Sequence, residues 1–208
     1  MCLWFPPNHI YPVFSAILRS PAPPVKFLKV SIVDNNFFLR ALEPDDLNAV
    51  FEAENRREAL LSGECRIPYS YAFLKQYIES SLKETFLSSG QLRLMVSRFS
   101  ESGGSALRED VGIVDFFNYD AFCARAEIGI LLYDRSRSQG LSPKILDMAL
   151  NYARNQLNLH QLYAEILANN APSLHLFREA GFEPCGIKKD WFRAGGEWID
   201  VHGFQKLL

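Results

Sequence analysis

Beyond residue 30 the chain switches repeatedly between two hydrophobic periods. Residues 36–41 (Asn-Phe-Phe-Leu-Arg-Ala) form a short apolar run that reads as a strand. Glu43-Pro44-Asp45-Asp46 follows, with a proline and acids suited to a first helical turn. Leu47, Val50, Phe51 and Glu54 then recur at helical spacing, and Phe73, Leu74, Tyr77, Ile78 and Leu82 repeat it over 70–82. Between 91 and 99 the period drops to two, with Leu92, Leu94 and Val96 on one face. Turn chemistry at 101–105 precedes a strand at 111–117, and Asn118-Tyr119-Asp120 reads as the next turn. Residues 127–133 (Glu-Ile-Gly-Ile-Leu-Leu-Tyr) are almost wholly apolar, as a central strand covered on both faces should be. Gly129 within them predicts a bulge or a close approach. A helix follows from about 143 to 157, with Ile145, Met148, Ala149, Tyr152 and Ala153 as its buried stripe. A strand at 162–168, a short helix at 172–180 stopped by Gly181, and two strands flanking Ala194-Gly195-Gly196 complete the chain. The order β-α-α-β-β-β-α-β-α-β-β predicts an α/β (α+β) domain, a mixed sheet with helices on both faces.

The first 29 residues break this pattern. They hold Pro6, Pro7, Pro12, Pro21, Pro23 and Pro24, six of the chain's 11 prolines, with Trp4, Phe5, Tyr11, Phe14 and Phe27 between them. Prolines exclude a long helix or central strand. They also interrupt the apolar run of a secretory signal, and no basic residue precedes it. The expected organisation is therefore a Pro/aromatic-rich appendage over 1–29 and one domain over 30–208. Charge adds an exclusion: 22 basic against 24 acidic residues give none of the basic footprint of a nucleic-acid binder. No run of 18 apolar residues suggests a membrane span. Cys2, Cys65, Cys123 and Cys185 make no Cys-x-x-Cys, and His9, His160, His175 and His202 are scattered. No metal site is expected, and the thiols read as reduced, which suits the cytoplasm.

The chemistry concentrates where the apolar strand runs through a loop carrying Arg137 and Gly140 into a helix near Ser142-Pro143. The first amides of a helix lack internal partners and carry partial positive charge. A glycine there admits a ligand to the backbone, so the junction suits a pyrophosphate, with Arg135 and Arg137 adding charge. On spacing alone it also suits an ordinary strand–helix connection with a solvated basic loop.

Arg137-Ser138-Gln139-Gly140-Leu141-Ser142 resembles the Gln/Arg-x-x-Gly-x-Gly/Ala acyl-CoA loop of the GNAT N-acetyltransferase superfamily, with Ser142 where Gly or Ala is usual. Ser142 is also a good helix N-cap. Asn170-Ala171-Pro172-Ser173, followed by Phe177 and Ala180-Gly181-Phe182, resembles the family's Asn-x-x-Ser…Gly-Phe segment. Phe38-Leu39-Arg40-Ala41-Leu42-Glu43-Pro44-Asp45-Asp46-Leu47 is similar to its Arg-Ala…Asp-Leu opening. The resemblance covers about 30–208 and looks closest to the branch of ribosomal-protein N-terminal acetyltransferases and spermidine acetyltransferases.

This resemblance implies a GNAT-like central splayed sheet and an acetyl-CoA-dependent N-acetyltransferase acting on a primary amine by direct attack on the thioester. The acceptor would be a protein N-terminus, a polyamine or another small amine, and many relatives form homodimers. Backbone groups of Ile130 and Leu132 would bond the pantetheine arm. Arg137, Ser138, Gly140 and Ser142 would hold the pyrophosphate, and Asn170 and Ser173 would lie on the cofactor side. The attacking amine must lose a proton. Glu127 is the first candidate acceptor, with a salt bridge to Arg125 as its structural alternative. Asp115, flanked by Val114 and Phe116, is the second, and reads equally as a buried structural aspartate. Many relatives protonate the leaving thiolate with a Tyr on the short helix, where this chain has Phe177. Tyr163 and Tyr119 are the nearest substitutes, both also readable as packing residues. Phe177 leaves open a catalytically silent acyl-CoA-binding or regulatory domain of the same fold. Glu52, Glu54, Glu58 and Glu64 would suit a cationic acceptor, but Arg56, Arg57 and Arg66 interleave with them as on a solvated helix. Trp191 and Trp198 would line an acceptor pocket or simply pack.

Overall fold

The computed structural model describes residues 32–34, 36–56, 67–102, 105–137 and 139–208. The expected appendage at 1–29 lies outside them, as do Cys65, Glu58, Glu64, Arg57, Arg66 and the loop residue Ser138. Eight strands form one sheet. In chain order they are β1 (Ile32–Asp34), β2 (Phe37–Ala41), β3 (Leu92–Ser102), β4 (Ser105–Asp120), β5 (Arg125–Leu132), β6 (Gln161–Leu167), β7 (Glu183–Ala194) and β8 (Glu197–Leu207). Their spatial order is β1-β2-β3-β4-β5-β6-β8-β7, and β5 against β6 is the single parallel pair among them. The helices are α1 (Leu47–Glu54), α2 (Tyr71–Ser81), α3 (Phe86–Ser89), α4 (Leu141–Asn155) and α5 (Ala171–Glu179).

The two periods in the sequence sort the core into two layers. Leu94, Val96, Val114, Phe116 and Ile128 face Ile145, Met148, Ala149 and Tyr152 of α4 and Leu174 and Phe177 of α5. The opposite sheet face, with Met95 and Ile113, packs on Val50 and Ala53 of α1 and Leu74 and Ile78 of α2. Ser70 starts α2 by accepting from the Phe73 amide at 3.1 Å. The Arg40…Asp46 spacing has a physical cause. Arg40 donates to both Asp46 oxygens at 2.7 and 2.6 Å, and Asp46 also accepts from the Glu43 amide at 2.8 Å. This buried, bidentate pair ties β2 to the turn that opens α1.

A second buried charge cluster lies under α1 and α2. Arg93 on β3 donates to the two oxygens of Asp115 at 2.7 and 2.9 Å and to Glu54 at 2.7 Å, and its guanidinium sits 5.5 Å from the Tyr77 ring centroid. Burial pushes the Tyr77 phenol up to about 12, against the pull of Arg93. The folded-state value therefore lies above the ordinary 10. The associated stability is complete below pH 10 and is lost as the pH climbs through about 12. A rise of that size corresponds to roughly 3 kcal/mol. Urea denaturation between pH 9 and 12 should show the decline, and Tyr77→Phe should flatten part of it.

Several expectations shift. Asn118-Tyr119-Asp120 is not a turn. β4 continues to Asp120 through a register shift after Phe117, because Asn118 adopts the left-handed region (φ 51°) and kinks the strand without leaving the sheet. The turn falls at 121–124, where Asp120 accepts from the Phe122 and Cys123 amides at 3.0 Å each. Gly129 carries no bulge: it pairs in register with Asp115. β1 and α3 are additional elements. α4 starts at Leu141, two residues early, because Gly140 in the left-handed region (φ 67°) is its N-cap. Ser142 is therefore inside the helix and is not the cap.

Candidate active site

β5 and β6 share only three rungs, Arg125–Gln161, Ala126–Leu162 and Glu127–Tyr163. Beyond them β5 stays with β4 and β6 stays with β8, so a wedge opens between the parallel strands. The Tyr133 amide donates to the Val111 carbonyl at 3.0 Å, which sets the alternation along β5. Odd-numbered residues bond β4, and Ile128, Ile130 and Leu132 turn their backbone groups toward the wedge. The Leu132 carbonyl accepts from Arg56 at 3.3 Å and from Arg137 at 3.4 Å. Ile130 and Leu132, expected to hold a pantetheine arm, thus occupy a free sheet edge. Gly112 stands opposite Leu132, and a Cβ there would lie 2.3 Å from the Leu131 carbonyl oxygen. Only glycine lets β4 approach β5 this closely.

Because the strands are parallel, each leaves the wedge at its mouth and enters a helix, β5 into α4 and β6 into α5. Such carboxyl ends are where open α/β sheets bind ligands. No described side chain caps α4, nothing lies within 4 Å of where a Gly140 Cβ would sit, and Pro143 has no N–H to offer. The amides of Leu141 and Ser142 therefore open on an uncluttered notch. At α5, Asn170 Oδ1 accepts from the Ser173 amide at 3.2 Å. Near the β5–α4 loop, Arg56 Nε and Ser136 Oγ are buried with no partner among the described residues; Tyr133 Oη, likewise unpartnered among them, lies instead in the α1/α2 layer, near the charges of Asp110 and Asp46. Open amides, a notch and the unpartnered Arg56 and Ser136 donors together fit an elongated anionic ligand. Arg135, expected to add charge there, donates instead to the Asp110 carbonyl at 2.7 Å, and Arg137 lies 3.3 Å from Asp134. A separate groove of about 450 Å³ runs between α4 and α5, lined in part by Pro143, Asn151, Arg154 and Lys206. It carries both signs of charge, Asp147 and Glu179 against Arg154 and Lys206.

The closed end of the wedge gathers titratable groups. Glu127 and Tyr163 are neighbours on the last shared rung, on the sheet face that carries α1 and α2. Asn118 donates to Glu127 Oε2 at 2.9 Å. The Tyr163 phenol is pushed up to about 12 by burial and by the charges of Glu127 and Glu165, with Arg125 and Asn118 pulling the other way. Arg125 pairs with Asp120 at 3.1 Å. Asp115 commits both oxygens to Arg93, and Glu54, expected on a solvated face, is the third member of that buried cluster. Tyr119 packs against Phe86 in a tilted pair with ring centroids 4.4 Å apart, and His175 is exposed. Phe177 is 5% exposed and packs edge-on against Phe182. Trp191 and Trp198 are about 60% exposed, beneath Lys188 and Arg193 respectively. Sequence reasoning missed Asn118, Arg56 and Gly112. Of these only Gly112, a glycine inside an apolar strand, left a readable signal.

The splayed parallel pair, with helix N-termini at its mouth, leaves an opening and free amides that suit a long, anionic ligand. Residues 36–183 match the family described as Acetyltransferase (GNAT) domain. The chain belongs to this family, and it is an acetyl-CoA-dependent N-acetyltransferase. It is 24% identical over 174 residues to the spermidine N(1)-acetyltransferase of Vibrio cholerae, covering 81% of this chain and 91% of that protein. A crystal structure of the Vibrio cholerae spermidine N-acetyltransferase with CoA and spermine shares the fold, at TM-score 0.73 and 24% identity over 84% of this chain and 96% of that one. The same enzyme is also known in a dodecameric structure, at TM-score 0.69 and 24% identity, covering 84% of this chain and 95% of that one. The ribosomal protein uS5-alanine N-acetyltransferase of Escherichia coli is 26% identical over 123 residues, 54% of this chain and 63% of that protein.

Proposed function

We propose that the wedge between β5 and β6 is the acetyl-CoA site and that a primary amine approaches it from the face carrying α1 and α2. The observation that carries this reading is the coincidence of a free β5 edge with the uncapped start of α4 at the wedge mouth. In it, Gly140, Leu141 and Ser142, with Arg137 and Ser138 of the same loop, hold the pyrophosphate, chiefly through backbone amides. Ile130 and Leu132 hold the pantetheine arm as a missing strand would. The Leu132 carbonyl is already engaged by two arginines, so its amide is the free group. Asn170 and Ser173 flank the arm from the β6 side. When bound, acetyl-CoA supplies an activated acyl group, and the chain's part is to orient it and to move protons.

Glu127 is assigned as the acceptor of the amine's proton, because it sits at the closed end and faces the acceptor side. Asp115 has no free oxygen for that task and instead anchors β4 beneath the cleft. Glu127, which the neutral Asn118 amide holds in place, makes this face attractive to a cation, which favours a polyamine or an unblocked N-terminus as acceptor. The exposed thiols of Cys123 and Cys185 suit the cytoplasm. Self-association, through the exposed Ile187, Trp191 and Trp198 of the β7–β8 hairpin, is part of the proposal and is read by light scattering.

One experiment tests the core of it: calorimetric binding of acetyl-CoA, together with thiol release on a panel holding spermidine, spermine and an alanine-initiated peptide. Gly140→Asp should abolish binding by placing a carboxylate in the notch, whereas Gly140→Asn, with the same backbone demand and no charge, should retain most of it. Glu127→Gln should bind normally and turn over at least tenfold more slowly. Binding unaffected by Gly140→Asp would move the cofactor site elsewhere. Binding without thiol release on any amine would favour a silent domain.

A further inference from the structure

Phe177 cannot donate a proton, and its burial against Phe182 removes it from the reaction altogether. A thiolate can leave unassisted, but a donor placed beside it speeds departure, and the geometry of the wedge restricts where such a donor can be. From Leu132 at the mouth to Ile128 near the last shared rung is four residues, about 13 Å of strand. An arm laid along this edge from the α4 notch brings its thiol end to the closed end of the wedge. One phenol sits on the rung that closes it, that of Tyr163. We propose that the Tyr163 hydroxyl is the hydrogen-bond and proton donor to the coenzyme A sulfur, seated beside Glu127 and Asn118 on the acceptor face. This rests on the cofactor reading given above.

The groups facing Tyr163 come from three strands: Glu127 and Arg125 of β5, Glu165 of its own strand, and Asn118 of β4. Glu127 is steadied by Asn118 at 2.9 Å, and Glu165 is paired with Lys188. Burial and the two carboxylates keep the phenol protonated well above neutral pH, so at working pH it is a donor. The positive φ of Asn118 belongs to the same device. The kink it puts in β4 brings an amide side chain to this rung, where a regular strand would continue past it.

The step balances. The amine nitrogen bonds to the acyl carbon and gives its surplus proton to Glu127. The carbon–sulfur bond breaks with its electron pair going to sulfur, and sulfur takes the Tyr163 proton. The phenol is then restored, through solvent, by the proton Glu127 received. The products are one amide and one thiol.

The test compares CoA with desulfo-CoA, which lacks the sulfur. Affinities are measured by calorimetry on the full chain, on Tyr163→Phe and on Tyr119→Phe. Wild type should prefer CoA by about fivefold, the worth of one hydrogen bond. Tyr163→Phe should bring the ratio to about one with desulfo-CoA affinity unchanged, and should lower kcat about 100-fold with little change in the KM for acetyl-CoA. Tyr119→Phe should leave the ratio and kcat as they are. A CoA preference that survives Tyr163→Phe, or an undiminished kcat, overturns the assignment. The binding ratio decides it even if none of the tested amines is acetylated. Failure of wild type to bind either ligand would instead bring down the cofactor reading, and this assignment with it.

Discussion

Gly112→Ala should cripple the enzyme while touching no residue that chemistry would single out. The new methyl carbon would lie 2.3 Å from the Leu131 carbonyl oxygen, 3.0 Å from Leu132 Cδ2 and 3.2 Å from Leu132 Cα. The leucine side chain can rotate away, but the carbonyl oxygen is backbone and moves only if β4 and β5 part. Overpacking of this kind costs about 1–3 kcal/mol or more. The displacement falls on the rung where the Leu132 amide opens on the wedge, so stability and cofactor affinity should fall together. We expect the urea midpoint to drop and acetyl-CoA affinity to weaken at least tenfold. A variant that binds acetyl-CoA as wild type does would show that the β5 edge is not the cofactor's partner.

Arg93→Met should have the largest effect on stability. Arg93 is the sole cation bonded to Asp115 and Glu54 among the described residues, and all three are buried. Removing it strands two carboxylates in a low-dielectric layer, at a cost of about 3–5 kcal/mol. The penalty comes from the orphaned acids rather than from the lost attraction, so the triple variant Arg93→Met, Asp115→Asn, Glu54→Gln should recover much of it. Chemical denaturation of the three proteins decides the point. A triple variant no more stable than Arg93→Met would assign the loss to packing of the arginine stem. A triple variant that folds and still turns over would also show that Asp115 carries no proton in the reaction.

The elements of the fold were legible where one period dominates a long run. The helical stripe of α4 and the alternation of β3 both fell where the spacing predicts, because burial on one face leaves a regular mark on the sequence. The loop from Arg137 to Ser142 was legible because glycine and the helix start are local features. What escaped is what depends on partners far along the chain. Nothing near Asp115 reveals that Arg93, 22 residues away, takes both its oxygens. Nothing near Glu127 announces Asn118, because the residue reads as a turn former and acts as one only within a strand. Glu54 follows helical spacing as a polar position would, yet its neighbour across the sheet layer makes it a buried acid.

The two-sided sheet has a consequence for how such a chain changes over time. The uncapped start of α4 and the core beneath it belong to one layer, and on the proposed reading the amine approaches from the other, with β5 as the shared wall. Substitutions on the outer faces of α1 and α2 can therefore accumulate without disturbing the notch at Gly140. Acceptor preference is free to drift between lineages while the acyl donor stays the same.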